Sequence, residues 1–118
     1  MIMHQAVANK IVLKLQPPLK SDDLANAMIE FLQNLAESLS IKGIIAGHIK
    51  VLIAEDGNYA TFSCTKPGKV TKQISPSWDT AVFYEPEFSY NVIVYGISKD
   101  ELANKVNKNI EQLSTSLL

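Results

Sequence analysis

Arginine is missing from this sequence: all eleven of its basic side chains are lysines. Sites that read carboxylate, phosphate or guanine through a planar, two-pronged contact ordinarily use arginine. Neither nucleic-acid readout nor phosphoryl transfer is therefore expected, although lysine can still act as a point charge. A formal net charge of -1 adds no general attraction to nucleic acid. Cysteine is nearly missing too. Cys64 alone excludes an intrachain disulfide or a thiolate metal cluster, and its place between Phe62 and Thr65 in a strand-like run reads as a small buried apolar residue. The histidines are two, His4 and His48, so a zinc site would need carboxylates from separate elements; neither a metal nor a cofactor is expected. Gly43 and Gly47 fit neither the phosphate-loop nor the dinucleotide spacing, and no serine nucleophile elbow occurs. Long apolar runs are also absent. Lys10 and Lys14 break the first hydrophobic stretch, and the opening MIMHQAVANK has no basic leader, so a soluble, cytoplasmic chain without a membrane partner is expected.

What is present is 47% hydrophobic residues over 118 positions, enough for one α+β domain, residues 1–118, with a core of its own. In IVLKLQ, Ile11, Leu13 and Leu15 alternate with Val12, Lys14 and Gln16, the period of a half-buried strand, and Pro17 and Pro18 stop it. From Ser21 the period lengthens. Leu24, Met28, Phe31, Leu35 and Leu39 form one stripe behind Asp22 and Asp23, which face the positive end of a helix dipole, so an amphipathic helix of about 19 residues is expected.

The stretch GHIKVLIAEDGNYATFSCTK reads as a hairpin, with Asp56 and Gly57 suited to the centre of a type I′ turn. That turn sets Glu55 opposite Asn58, Val51 opposite Phe62, Lys50 opposite Ser63 and His48 opposite Thr65. Ile49, Val51, Ile53, Ala60, Phe62 and Cys64 then share a core face, while His48, Lys50, Leu52, Ala54, Tyr59, Thr61, Ser63 and Thr65 share the other. Residues 66–79 read as a long connection with a short edge strand near Val70. TAVFYEPEF reads as a strand ending at a turn around Pro86. FSYNVIVYGI reads as another, with Phe88, Tyr90, Val92 and Val94 on one face and Ile93 and Tyr95 on the other. Ser98 and Glu101 form a capping box for a last helix with Leu102, Val106, Ile110, Leu113 and Leu117 as its buried stripe.

The order β-α-β-β-β-β-α predicts an α+β two-layer sandwich: an antiparallel or mixed sheet of about five strands with two helices packed on one face. In architecture alone it resembles a ferredoxin-like arrangement lacking the final strand, which implies nothing about function.

Two helices cover one side of such a sheet. Val12, Leu52, Ala54, Tyr59, Ile93 and Tyr95 would lie on the other side with His48, Lys50, Thr61, Ser63 and Thr65, an apolar content that calls for cover by a second subunit or a ligand. A homo-oligomer is expected. Charge is unevenly spread, with five lysines against Glu55 and Asp56 in residues 42–78 and six acids against three lysines in residues 79–118. Such asymmetry can steer an anionic ligand. The expected activity is non-catalytic: binding of a small anionic ligand or a protein partner through the sheet face and the 66–79 loop. The residues expected to carry it are His48, Lys50, Thr61, Ser63, Thr65, Lys66 and Lys69. Trp78 would serve either as a ligand contact or as the anchor of that loop to the core. The alternative is a metal-independent isomerase, lyase or hydrolase with a pocket at a subunit interface. There His48, kept neutral by the ammonium of Lys50, would be the general acid/base.

Overall fold

The computed structural model describes residues 4–45 and 47–117; residues 1–3, part of the stretch read for a leader, lie outside them. In chain order the elements are β1 (His4–Val12), β2 (Leu19–Lys20), α1 (Ser21–Leu39), β3 (Gly47–Glu55), β4 (Asn58–Lys66) and β5 (Lys69–Ile74). A single 3-10 turn (Trp78–Thr80), β6 (Val82–Phe83), β7 (Glu87–Tyr95) and α2 (Lys99–Leu117) follow. Five strands form one antiparallel sheet in the order β1-β7-β3-β4-β5, and β2 pairs with β6 in a small ladder of its own. Because β7 runs antiparallel to both β1 and β3, these two are parallel to each other with β7 between them. With α1 as their connection they make a split β-α-β unit, which the β3–β4–β5 meander extends.

Local chemistry places most of these elements where the sequence puts them. α1 spans 19 residues behind Asp22 and Asp23, and buries Leu24, Met28, Phe31, Leu35 and Leu39. At the start of α2, the Ser98 Oγ accepts the Glu101 N–H at 3.2 Å, satisfying one of the otherwise free donors of a helix N-terminus. In the β3–β4 turn, Asp56 and Gly57 have φ of 52° and 83°, the left-handed pair that a type I′ hairpin needs. The register runs from Glu55 opposite Asn58 to Ile49 opposite Cys64.

Both helices pack on one another and on the same side of the sheet, α1 over β3, β4 and β5 and α2 over β1. Between the layers lie Leu24, Met28, Leu32, Leu35, Leu102 and Val106 from the helices, with Ile49, Val51, Ile53, Phe62, Phe88 and Val92 from the sheet. Phe31 meets Phe88 edge to face, with ring centroids 5.4 Å apart. Removal of this surface from water is the main favourable term in folding. No described helix is long and apolar enough to cross a membrane.

Three expectations are corrected. The first strand begins at His4 rather than Ile11 and ends at Val12; Leu13 and Leu15 remain inward because their N–H groups bond the Pro86 and Tyr84 carbonyls, each at 2.9 Å. The edge strand expected near Val70 is present but longer than expected, so little of residues 66–79 is a connection. Pro67 and Gly68 turn the chain into β5, a full edge strand that pairs Val70 with Cys64, Thr71 with Ser63 and Gln73 with Thr61. Finally, the fourth strand of the main sheet is this segment and not TAVFYEPEF, of which Val82 and Phe83 pair with β2 and the last two residues, Glu87 and Phe88, already belong to β7.

Candidate functional site

The face of the sheet turned away from the helices is ruled into rows by the strand registers. One row runs Ala8, Asn91, Lys50, Ser63, Thr71 across all five strands. Its neighbour runs Lys10, Ser89, Leu52, Thr61, Gln73. From β7 to β5 these two rows floor an open groove of about 610 Å³. Strands lie about 4.8 Å apart, so Asn91 and Ser63 flank Lys50 at the spacing of cross-strand neighbours. The Ser63 and Thr71 hydroxyls are hydrogen-bonded at 2.7 Å.

Electrostatically the groove is simple. Lys50 is exposed and, among the described residues, forms no ion pair. Glu87, on the same face, is held by Lys10 at 3.6 Å. An exposed pair of this kind contributes little to stability, but it spends the carboxylate locally. Beside Lys50 on the open face stand neutral polar groups, the Asn91 amide, the Ser63, Thr61 and Ser89 hydroxyls and the Gln73 amide, with Leu52 as the apolar floor; Lys72, opposite Phe62 on β5, also lines the groove.

Of the residues singled out in the sequence, the fold brings Lys50, Thr61 and Ser63 together in the groove. His48 occupies the next row, opposite Ile93, half-buried and outside the groove. Thr65 is exposed at the end of β4, and Lys66 and Lys69 face each other across the β4–β5 turn, so all three stand at one end of the sheet. Trp78 does not reach this face. It is 2% exposed and packs on Phe83 with ring centroids 4.8 Å apart, so its role is the anchoring one and not ligand contact. The large apolar area of an indole makes that burial favourable. Ser75 fixes the approach: its N–H bonds the Tyr59 carbonyl at 2.9 Å, its Oγ accepts the Tyr59 N–H at 3.1 Å, and the Trp78 N–H returns to its carbonyl at 3.1 Å.

Five polar residues that line the groove were not singled out: Thr71, Lys72, Gln73, Ser89 and Asn91. The alternation in FSYNVIVYGI already sets Ser89 and Asn91 against the buried Phe88 and Tyr90, but nothing local shows that β7 lies beside β3. Thr71, Lys72 and Gln73 belong to the strand that carries no readable alternation.

The groups that could do covalent chemistry are dispersed. Among the described residues the His48 ring forms no hydrogen bond to a hydroxyl, thiol or carboxylate, and no three His, Cys, Asp or Glu side chains gather at one point. Cys64 lies on the helix side of the sheet, its thiol donating to the Lys66 carbonyl at 3.0 Å. The groove offers the exposed Lys50 ammonium beside a set of neutral hydrogen-bonding groups, with Lys72 at its β5 side. No family model, curated protein or solved structure matches this chain.

Proposed function

We propose that this chain is a binding module, without chemistry of its own, that holds a small anionic molecule in the groove on the open face of its sheet. The observation that carries the reading is Lys50: an ammonium in mid-sheet with no ion-pair partner among the described residues, beside hydroxyls and carboxamides. An anion 4 Å from that ammonium gains about 1 to 4 kcal/mol between the bulk-water and near-surface dielectric limits. Hydrogen bonds from Asn91, Ser63 and Thr61 would fix its orientation, each adding on the order of 1 kcal/mol. Leu52 gives the floor an apolar patch against which a carbon skeleton can rest.

Thermal unfolding against citrate, inorganic phosphate and sugar phosphates at low salt tests the proposal. A ligand present at about a hundred times its dissociation constant adds roughly 2.7 kcal/mol, which for a domain of this size is a rise of several degrees in Tm. In Lys50→Gln the rise is expected to vanish while the unliganded stability stays within about 0.5 kcal/mol of the original, because Lys50 is exposed and, among the described residues, forms no ion pair. A flat panel, or a stabilising anion that still binds Lys50→Gln, overturns it.

A further inference from the structure

The open face does more than floor a groove: along the strands it is electrically polarised. His4, His48, Lys66 and Lys69 stand at the end where β1 begins and β4 finishes. Glu55, Asp56, Glu85 and Glu87 stand at the other, around the β3–β4 turn and the start of β7. Lys10, the basic residue of the face toward that acidic end, is already paired with Glu87. Across the same face Val12 (51% exposed), Leu52 (39%), Tyr59 (44%) and Tyr95 (45%) are in contact with water, Leu52 at its middle and the others toward its ends.

We propose that a second copy of this chain covers this face, related by a two-fold axis that lies in the interface and runs perpendicular to the strands. Two sheets can stack face to face about 10 Å apart with their strands nearly aligned. A two-fold axis parallel to the strands would lay the lysine end on the lysine end. The perpendicular axis reverses the partner's strands and lays the lysine end on the acidic end, twice over by symmetry. Strand order is kept by this axis, so Lys66 and Lys69 face the partner subunit's Asp56 about one strand spacing away, with the partner's Glu85 further along the same end, and His48 lies one strand from the partner's Glu87.

Area supports the same occupant. Five strands at about 4.8 Å and nine residues at about 3.3 Å give a face of roughly 20 by 30 Å, so on the order of 1,200 Å² is buried in total, the lower bound of a stable interface. Since the axis crosses β3 at its middle, the row of Lys50 lies over the row of the partner's Leu52. The groove, open on one side in the single chain, is roofed by the second copy. The contact itself stands whether or not the groove takes an anion.

The test is sedimentation velocity across the micromolar range with charge-reversed pairs placed outside the groove. The original chain is expected to dimerise, and more weakly as salt is raised. Lys66→Glu with Lys69→Glu, and separately Glu85→Lys with Glu87→Lys, should each weaken self-association by on the order of tenfold or more. An equimolar mixture of the two should dimerise again, because each altered end meets its altered complement. Circular dichroism melts confirm that both fold; if loss of the Lys10–Glu87 pair proves disruptive, Glu85→Lys with Asp56→Asn takes its place. A monomeric original chain, a doubly reversed variant that dimerises undiminished, or a mixture of folded variants that stays monomeric overturns the proposal. Loss of anion binding in Lys50→Gln with an intact dimer would leave it standing, so the two readings fail separately.

Discussion

Gly47 is the residue at which the sheet tolerates no side chain. A Cβ built there would lie 1.8 Å from the Ile93 carbonyl oxygen, a backbone atom fixed by the β3–β7 ladder, so neither partner can yield without breaking that pairing. Gly43, with φ of 77° in the tight turn between Ile41 and Ile44, faces open space instead. Gly43→Ala therefore meets only the conformational cost of a left-handed residue, about 1 kcal/mol. Gly47→Ala is expected to cost more than about 2 kcal/mol, since the strand end must separate from β7. Urea unfolding of the two variants side by side measures this, and equal losses would remove the steric account. Glu55 is a second single residue with long reach. Its two carboxylate oxygens accept the Tyr84 and Glu85 N–H groups, each at 2.9 Å, and so tie the β3–β4 turn to the segment that enters β7. Nothing in the sequence marks either role, because both depend on a strand neighbour far away in the chain. Lys50, Thr61 and Ser63, by contrast, were readable as a set, since the Asp56–Gly57 turn alone fixes which of them share a face.

Among the elements, legibility followed burial. α1 was readable because its inward stripe is complete and Pro17 and Pro18 isolate its start. The β3–β4 hairpin was readable because one face is apolar and its turn has a demanding geometry. β5 was readable only as a short edge strand near Val70: apart from Val70, which is half-buried against the core, its residues are exposed, so the alternation that would give its full length is missing. The first half of β1 is similar, HQAVAN being poor in β-branched residues and held extended by β7 rather than by its own preference. The helices show the reverse case, a contact between elements that neither stripe foretells. The Lys105 ammonium in α2 donates to the Ser38 carbonyl in the last turn of α1 at 2.6 Å, with Glu101 one turn back at 3.9 Å. A cation at a helix C-terminus satisfies a free carbonyl and opposes the dipole. Lys105→Met, which keeps most of the side-chain volume, is expected to lose about 1 kcal/mol, while Lys108→Met on the exposed side of α2 should be neutral. Matched melts of the two variants decide whether the tie contributes.

At the scale of the whole molecule, β7 is the strand on which the sheet depends. It is the last strand in the sequence and lies between β1 and β3, so β1 has no ladder, and the split β-α-β unit no centre, until residues 87–95 are in place. Alternation alone could assign β7 a buried face but not its neighbours, which is why the groove was only half legible: Lys50 and Ser63 come from one hairpin, Asn91 and Ser89 from a strand far beyond it. The same topology separates two ways in which copies could associate. Stacking on the open face leaves the outer edge of β1 unpaired, whereas pairing two β1 edges would hydrogen-bond alternate amides along His4–Val12. Amide hydrogen exchange at low and high protein concentration distinguishes them. Amides in β7, β3 and β4, the three strands paired on both sides, are expected to exchange slowest. Those on the outer edge of β1 should exchange at a rate independent of concentration, because face-to-face contact gives them no acceptor. Protection of alternate β1 amides as concentration rises would assign the association to the edge and return the face, with its groove, to solvent.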